Sequence, residues 1–229
     1  MRSSLSEKLF KDNLTKTEEL QLIAELSYEL AKGRPDTLKK LLLGTEQTAL
    51  YHGTYRGVGQ HSVCVGCKTP RITEKRLCRC MYYFNRKDCQ KNCTQCAFRA
   101  RFQIVGEYQV VDYEVPAGCA GKGIGEIDLI LRRGETLYAA EVKPYRRKTP
   151  ERLLRMAAEI LTYTLGYPPD KFQKALLFFE KNPDDGLPSP QQLEYDTAPA
   201  ELLALLKKAD IAVFHLKEAG ANTYRICKL

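Results

Sequence analysis

The sequence predicts an α/β fold, a mixed β-sheet flanked by helices with a small cysteine-rich metal-binding module attached. Three observations lead to it. Helix-like and strand-like periodicities alternate through the C-terminal half. Seven of the nine cysteines fall between Cys64 and Cys96. A hydrophobic fraction of 44% over 229 residues suffices for one sizeable core plus a small module. The expected division is residues 1–60 as the N-terminal helical part of the main domain, 61–101 as the cysteine-rich module, and 102–229 as the core.

Thr15 with Glu18 forms a capping box, and Leu20, Ile23, Ala24 and Tyr28 follow at helical spacing until Gly33 and Pro35 end the helix. A second short helix is expected over Asp36 to Leu43. Tyr51 to Gln60 is glycine-rich and polar, a linker into the cysteine segment. One or two strands are expected between Ala97 and Val115, ending at Pro116, with a loop over Gly118 to Gly125. Ile124 to Leu131 reads as a strand, Arg132 to Glu135 as a tight turn at Gly134, and Leu137 to Lys143 as the paired strand.

Thr149 is the expected cap of the next helix, with Pro150 at its first position. Its apolar stripe is Leu153, Ala157, Ile160, Leu161 and Thr164, and Gly166 stops it. Ala175 to Glu180 has strand length, and Asn182 to Pro199 reads as a proline-rich loop. Glu201 to Lys208 is helical, and Ile211 to Leu216 with Thr223 to Lys228 make a final hairpin.

The N-terminus, MRSSLSEKLF, lacks the apolar run of a secretory signal, and no stretch approaches a membrane span. The expectation is a soluble cytoplasmic protein without membrane association. Charge is concentrated. Ten basic residues lie between Lys68 and Arg101 against only Glu74 and Asp88, so this segment carries +8, the formal excess of the whole chain. Such a patch attracts polyanions, nucleic acid first, although metal-bound thiolates would cancel part of it.

Clustered cysteines in a reducing compartment are more often metal ligands than disulfides. Cys64-x2-Cys67 and Cys93-x2-Cys96 have the spacing of two zinc knuckles, C-x2-C-x25-C-x2-C. Cys78, Cys80 and Cys89 remain, and with His61 they could complete a second Zn2+ site or stay unligated. An iron–sulfur cluster is the rival, since thiolates suit both. Tyr82, Tyr83, Phe84, Phe98 and Phe102 interleave with the basic residues, where they could stack on bases or form the module's own core, the expected role of Phe84 and Phe98. Arg146, Arg147 and Lys148 are candidate phosphate contacts or a solvated turn; Cys119 and Cys227 are expected to be packing residues.

The chemistry-bearing signal is Gly125-Glu126-Ile127-Asp128, a turn, then Ala140-Glu141-Val142-Lys143. Alternation along a strand puts Glu141 and Lys143 on one face and Val142 on the other, and the hairpin brings Asp128 beside Glu141. Charges within an apolar strand are costly unless paired or metal-bound. Two hard oxygen donors suit Mg2+ (or Mn2+), and a nearby lysine can orient or deprotonate water and neutralise developing charge. The competing explanation is a buried Glu141–Lys143 ion pair or a wet edge strand.

The stretch GEIDLILRRGETLYAAEVKPY, residues 125–145, resembles the active-site hairpin of the PD-(D/E)xK nuclease superfamily. It is similar to the form in RecB-type nucleases and in the YraN-like family. The resemblance covers roughly residues 107–166 and implies a restriction-endonuclease-like fold and metal-dependent hydrolysis of phosphodiester bonds, DNA being the expected substrate. It implies that Asp128 and Glu141 ligate Mg2+, that the Val142 carbonyl adds a ligand, and that Lys143 is the catalytic lysine. RecB-type enzymes carry a glutamine and a tyrosine one turn apart on the following helix; the matching positions here are Glu159 and Tyr163, with glutamate for glutamine. RecB-type CRISPR-associated nucleases with a [4Fe–4S] cluster place one cysteine before the catalytic core and three after it, whereas all seven clustered cysteines here lie before it. Further acidic ligands could come from Glu126, from Glu114, or from Glu25 and Glu29 on the first helix. The alternative is a zinc-dependent nucleic-acid-binding protein with a non-catalytic nuclease-like core.

Overall fold

Strand-length apolar runs separated by turns pair here into a single mixed sheet, in a computed structural model that describes residues 14–33, 72–84, 102–117, 125–145 and 151–229, with Lys8, Leu42 and Cys96. Among the described residues the helices are α1 (Lys16–Ala31), α2 (Glu74–Phe84), α3 (Leu153–Thr164), α4 (Pro190–Asp196) and α5 (Ala200–Lys208). The strands are β1 (Gln103–Val105), β2 (Gln109–Pro116), β3 (Glu126–Arg133), β4 (Thr136–Val142), β5 (Gln173–Phe179), β6 (Ile211–Gly220) and β7 (Thr223–Lys228). None of these helices is long and apolar enough to cross a membrane.

The strand order is β1-β7-β6-β5-β4-β3-β2. β4, β5 and β6 run parallel, as do β1 and β7; the other neighbours are antiparallel. β1 and β2 are opposite edges, yet only residues 106–108 separate them. Six interstrand steps span about 29 Å in a flat sheet. The short connection reaches about 15 Å at most. The sheet therefore curls, and Gly106 at φ 104° makes the bend between its edges.

Curling gives the sheet two apolar faces. The inner face joins Ile104, Tyr108, Leu129, Val142, Phe179 and Phe214, and α2 closes it with Leu77, Cys78, Met81, Tyr82 and Tyr83. The outer face joins Val111, Ile130, Ala139, Leu176, Phe178 and Val213 beneath α1, α3 and α5. Ala139 and Ile130 are register partners on β4 and β3, so α3 lies over the same face as every second residue from there.

Several expectations change. Within the segment expected as the cysteine-rich module, residues 74–84 form α2, which packs on the sheet because its apolar residues fill the inside of the curl. Tyr82 and Tyr83 are buried against each other and against Tyr113, with ring centroids 5.0 Å apart for Tyr82–Tyr113, so they are core and not base-stacking platforms. Phe102 is likewise buried, stacked on Tyr224. Phe84 and Cys227 are only half-buried. The helix expected from Thr149 and Pro150 starts at Leu153. The loop expected over Asn182 to Pro199 contains α4, capped by the Ser189 hydroxyl, which accepts from the Gln192 N–H, with Pro190 in the first turn. The strand and hairpin at Glu126–Val142 and the capped helix after Thr15 follow the sequence reading closely. The Asp36–Leu43 helix (apart from Leu42), the linker at 51–60, the loop at 118–124, His61, Phe98, Cys119 and Arg146 to Lys148 lie outside the described residues.

Candidate metal centre

β3 and β4 pair from Arg133 and Thr136 as far as Leu129 and Ala140, where their ladder stops. Beyond it, Ile127 and Glu126 continue to pair with β2, while Glu141 and Val142 continue to pair with β5. Each strand follows its outer neighbour, and the two part like a fork. Asp128 stands at the crotch, its Oδ2 accepting the Val142 N–H at 2.8 Å. The side chain thus replaces a ladder bond that the fork has opened.

Extending the register sets Asp128 opposite Glu141. Glu141 points to the α3 side, as does Lys143, while Ala140 and Val142 point into the curl; Asp128 stands where the alternation of β3 breaks, between Ile127 on the outer face and Leu129 on the inner. Glu74, in the first turn of α2, reaches the same place from the opposite face. One carboxylate oxygen from each of Glu74, Asp128 and Glu141 lies within 4.8 Å of the others. Glu141 is 3% exposed, and its Oε2 has no hydrogen-bond partner. Burial raises the carboxyl pKa of Asp128 to about 6, against the opposing pull of Lys143 and the Val142 N–H. Burial, then the charge of Asp128, raises Glu141 well above the carboxylate range. Two such groups side by side need a shared proton or a shared cation.

Lys143 is 2% exposed. Its Nζ lies 2.5 Å from Glu141 Oε1, 2.9 Å from Glu151 Oε2, 3.2 Å from Glu159 Oε2 and 3.3 Å from Glu74 Oε2. Burial alone would lower its pKa; Glu141, Glu159, Glu151 and Asp128 together outweigh that and raise it, so the group is an ammonium. Arg155 Nε, 2.5 Å from Glu151 Oε1 and 3.1 Å from Glu159 Oε1, supplies a second, half-buried cation.

No family model, curated protein or solved structure matches the chain.

Of the residues singled out in the sequence, Asp128, Glu141, Lys143 and Glu159 come together here. Tyr163 lies beside them, its ring against Gly125; burial, then the charges of Glu159 and Glu141, raises its pKa, so its hydroxyl stays protonated. Val142 contributes its N–H to Asp128. Glu126 is not in the carboxylate group. It shares Lys75 with Glu114, at 3.7 and 3.3 Å, and Glu114 adopts φ 49°. Glu25 and Glu29 are bonded along their own helix, to Gln21 and Lys32.

Cys78 and Cys80 sit two apart on α2. A helix turns 100° per residue, so their side chains diverge and do not form a knuckle. Cys78 is fully buried in the inner core; burial, then Asp128 and Glu141, pushes its thiol well above the usual range. Cys96 is half-buried against the same core. Cys64, Cys67, Cys89 and Cys93 lie outside the described residues.

Sequence reading missed Glu74, Glu151 and Arg155. The last two had a signal: Glu151, Arg155 and Glu159 recur every four residues, the spacing of ion pairs along one helix face. Glu74 had none, because its place depends on how α2 crosses the sheet.

Proposed function

We propose that this protein is a divalent-metal-dependent nuclease of the PD-(D/E)xK type on a restriction-endonuclease-like fold, hydrolysing phosphodiester bonds, with DNA as the favoured substrate. The observation that carries the reading is the convergence of Glu74, Asp128 and Glu141 at the fork, with Lys143 alongside. Three hard oxygen donors fit Mg2+ or Mn2+, and the buried Glu141 carboxylate has one oxygen, Oε2, without a hydrogen-bond partner. When bound, the ion supplies Lewis-acid stabilisation of negative charge on the phosphate and makes water more acidic.

The chain's own residues complete the chemistry. Glu74, Asp128 and Glu141 would hold the cation. Lys143 donates from its ammonium, orienting water and stabilising charge as the phosphate oxygens gain it. Glu159 holds that ammonium in place. The basic stretch between Lys68 and Arg101 supports a polyanionic partner, and the outer pairs Cys64/Cys67 and Cys93/Cys96 are the proposed zinc ligands.

Purified protein is expected to degrade DNA in Mg2+ or Mn2+, and the Asp128→Ala and Lys143→Ala variants to lose that activity. Salt-sensitive binding without cleavage of any DNA or RNA would instead identify a binding protein with a non-catalytic core.

A further inference from the structure

Lys143, Glu151, Arg155 and Glu159 close a ring of alternating charge. Around it the distances are 2.9 Å (Lys143–Glu151), 2.5 Å (Glu151–Arg155), 3.1 Å (Arg155–Glu159) and 3.2 Å (Glu159–Lys143). Each glutamate gives one oxygen to the lysine and the other to the arginine. The ring is neutral as a unit. Glu151 and Glu159 are 8% and 6% exposed, so water does not take their place around the ammonium.

We propose that Glu151 and Arg155 are positioning residues that act through Lys143: Arg155 clamps the two glutamates, and they fix the lysine ammonium beside the Asp128–Glu141 fork. This rests on the nuclease reading. The two residues differ from cation ligands in their placement. Glu151 lies next to α3, its backbone carbonyl accepting from the buried Gln191 side chain at 3.2 Å, and its carboxylate is divided between two cations. Arg155 is itself a cation and cannot be a ligand. What the ring supplies is the position of one ammonium. A long, four-carbon side chain without such anchors would sample several rotamers, and a misplacement of about 1 Å can cost on the order of a hundredfold in rate.

The experiment measures Mn2+ binding by calorimetry and steady-state DNA cleavage for the wild type, Glu151→Gln, Arg155→Met, Arg155→Lys and Asp128→Asn. Glu151→Gln and Arg155→Met are expected to lower kcat by about 10- to 100-fold, with KM for DNA and the Mn2+ Kd each within about fivefold of wild type. Asp128→Asn is expected to lose Mn2+ binding. Arg155→Lys keeps the charge but not the Nε that meets both carboxylates, so its kcat is expected to fall between those of wild type and Arg155→Met. Should Arg155→Met fail to fold, a reduced kcat at unchanged Mn2+ Kd in Arg155→Lys carries the same conclusion. The proposal is overturned by an unchanged kcat in folded Glu151→Gln, by a rise in KM alone, or by loss of Mn2+ binding in Glu151→Gln matching that of Asp128→Asn. A wild type that binds Mn2+ yet cleaves no nucleic acid overturns the nuclease reading and this one together; an active wild type with unaffected ring variants overturns the ring alone.

Discussion

The Asp128 carboxylate accepts the Val142 backbone N–H at 2.8 Å where β3 and β4 part, so one side chain both closes the fork and faces the cation position. The two roles separate by substitution. Asp128→Asn keeps an oxygen for Val142 and removes the charge; Asp128→Ala removes both. Both variants are expected to lose Mn2+ binding, while only the alanine variant is destabilised, by about 1 kcal/mol for a backbone donor left without its partner. Thermal melts and calorimetry check this. Equal stability in the two variants would show that the Val142 contact contributes nothing.

Gly125 precedes β3 at φ 111°, and a Cβ there would lie 2.6 Å from the Tyr163 ring. Both the backbone and the space therefore require glycine. Gly125→Ala is expected to cost about 1–3 kcal/mol and to displace Tyr163. Adding Tyr163→Ala removes the clash but not the left-handed backbone, so the double variant recovers only part of the loss. Full recovery in denaturant titrations would mean that backbone strain has no share in it.

Glu194 on α4 caps α3 from outside: both its oxygens accept the Leu153 N–H at 3.1 Å. Burial raises its carboxyl pKa from 4.5 to about 7, with the Leu153 hydrogen bond pulling the other way. The folded state then holds a proton that the unfolded chain has released. The contribution to stability is full below pH 4.5 and is lost as pH rises through about 7. Glu194→Gln stays neutral and keeps an acceptor oxygen. Its melting temperature is expected to decline less than the wild type's between pH 5 and pH 8. Parallel declines would contradict the assignment.

Cys78 in the inner core and the knuckle-spaced pairs Cys64/Cys67 and Cys93/Cys96 make opposite predictions for zinc. Cys78→Ala is expected to leave the zinc-to-protein ratio unchanged and to destabilise by about 1–2 kcal/mol through the space it empties. Cys64→Ala is expected to lower that ratio. Elemental analysis decides it, and zinc lost from Cys78→Ala, or iron found with visible absorbance, would overturn the ligand assignment.

The hairpin carrying Asp128, Glu141 and Lys143 was legible because apolar alternation, a glycine turn and strand length all agree locally. Local signals also misled. Ser189–Pro190 does start a helix, whereas the equivalent Thr149–Pro150 pair precedes the start of α3 by three residues. There the helix takes its cap from Glu194, 41 residues away, which no window of sequence contains. Glu74 shows the same limit. It lies among cysteines and basic residues that read as a separate module, and only the packing of Leu77, Cys78 and Met81 into the curl carries it to the fork. The ring was half legible, through the spacing of Glu151, Arg155 and Glu159, but its closure on Lys143 needed the fold of β4 against α3.

The most direct test is a crystal of the protein soaked in Mn2+ and measured at a wavelength where manganese scatters anomalously. The account expects one strong peak between Glu74, Asp128 and Glu141, with carboxylate oxygens at about 2.1–2.2 Å and the Lys143 ammonium still held by Glu151 and Glu159. An anomalous map without a peak there, with the lysine filling the space between the carboxylates, would contradict it.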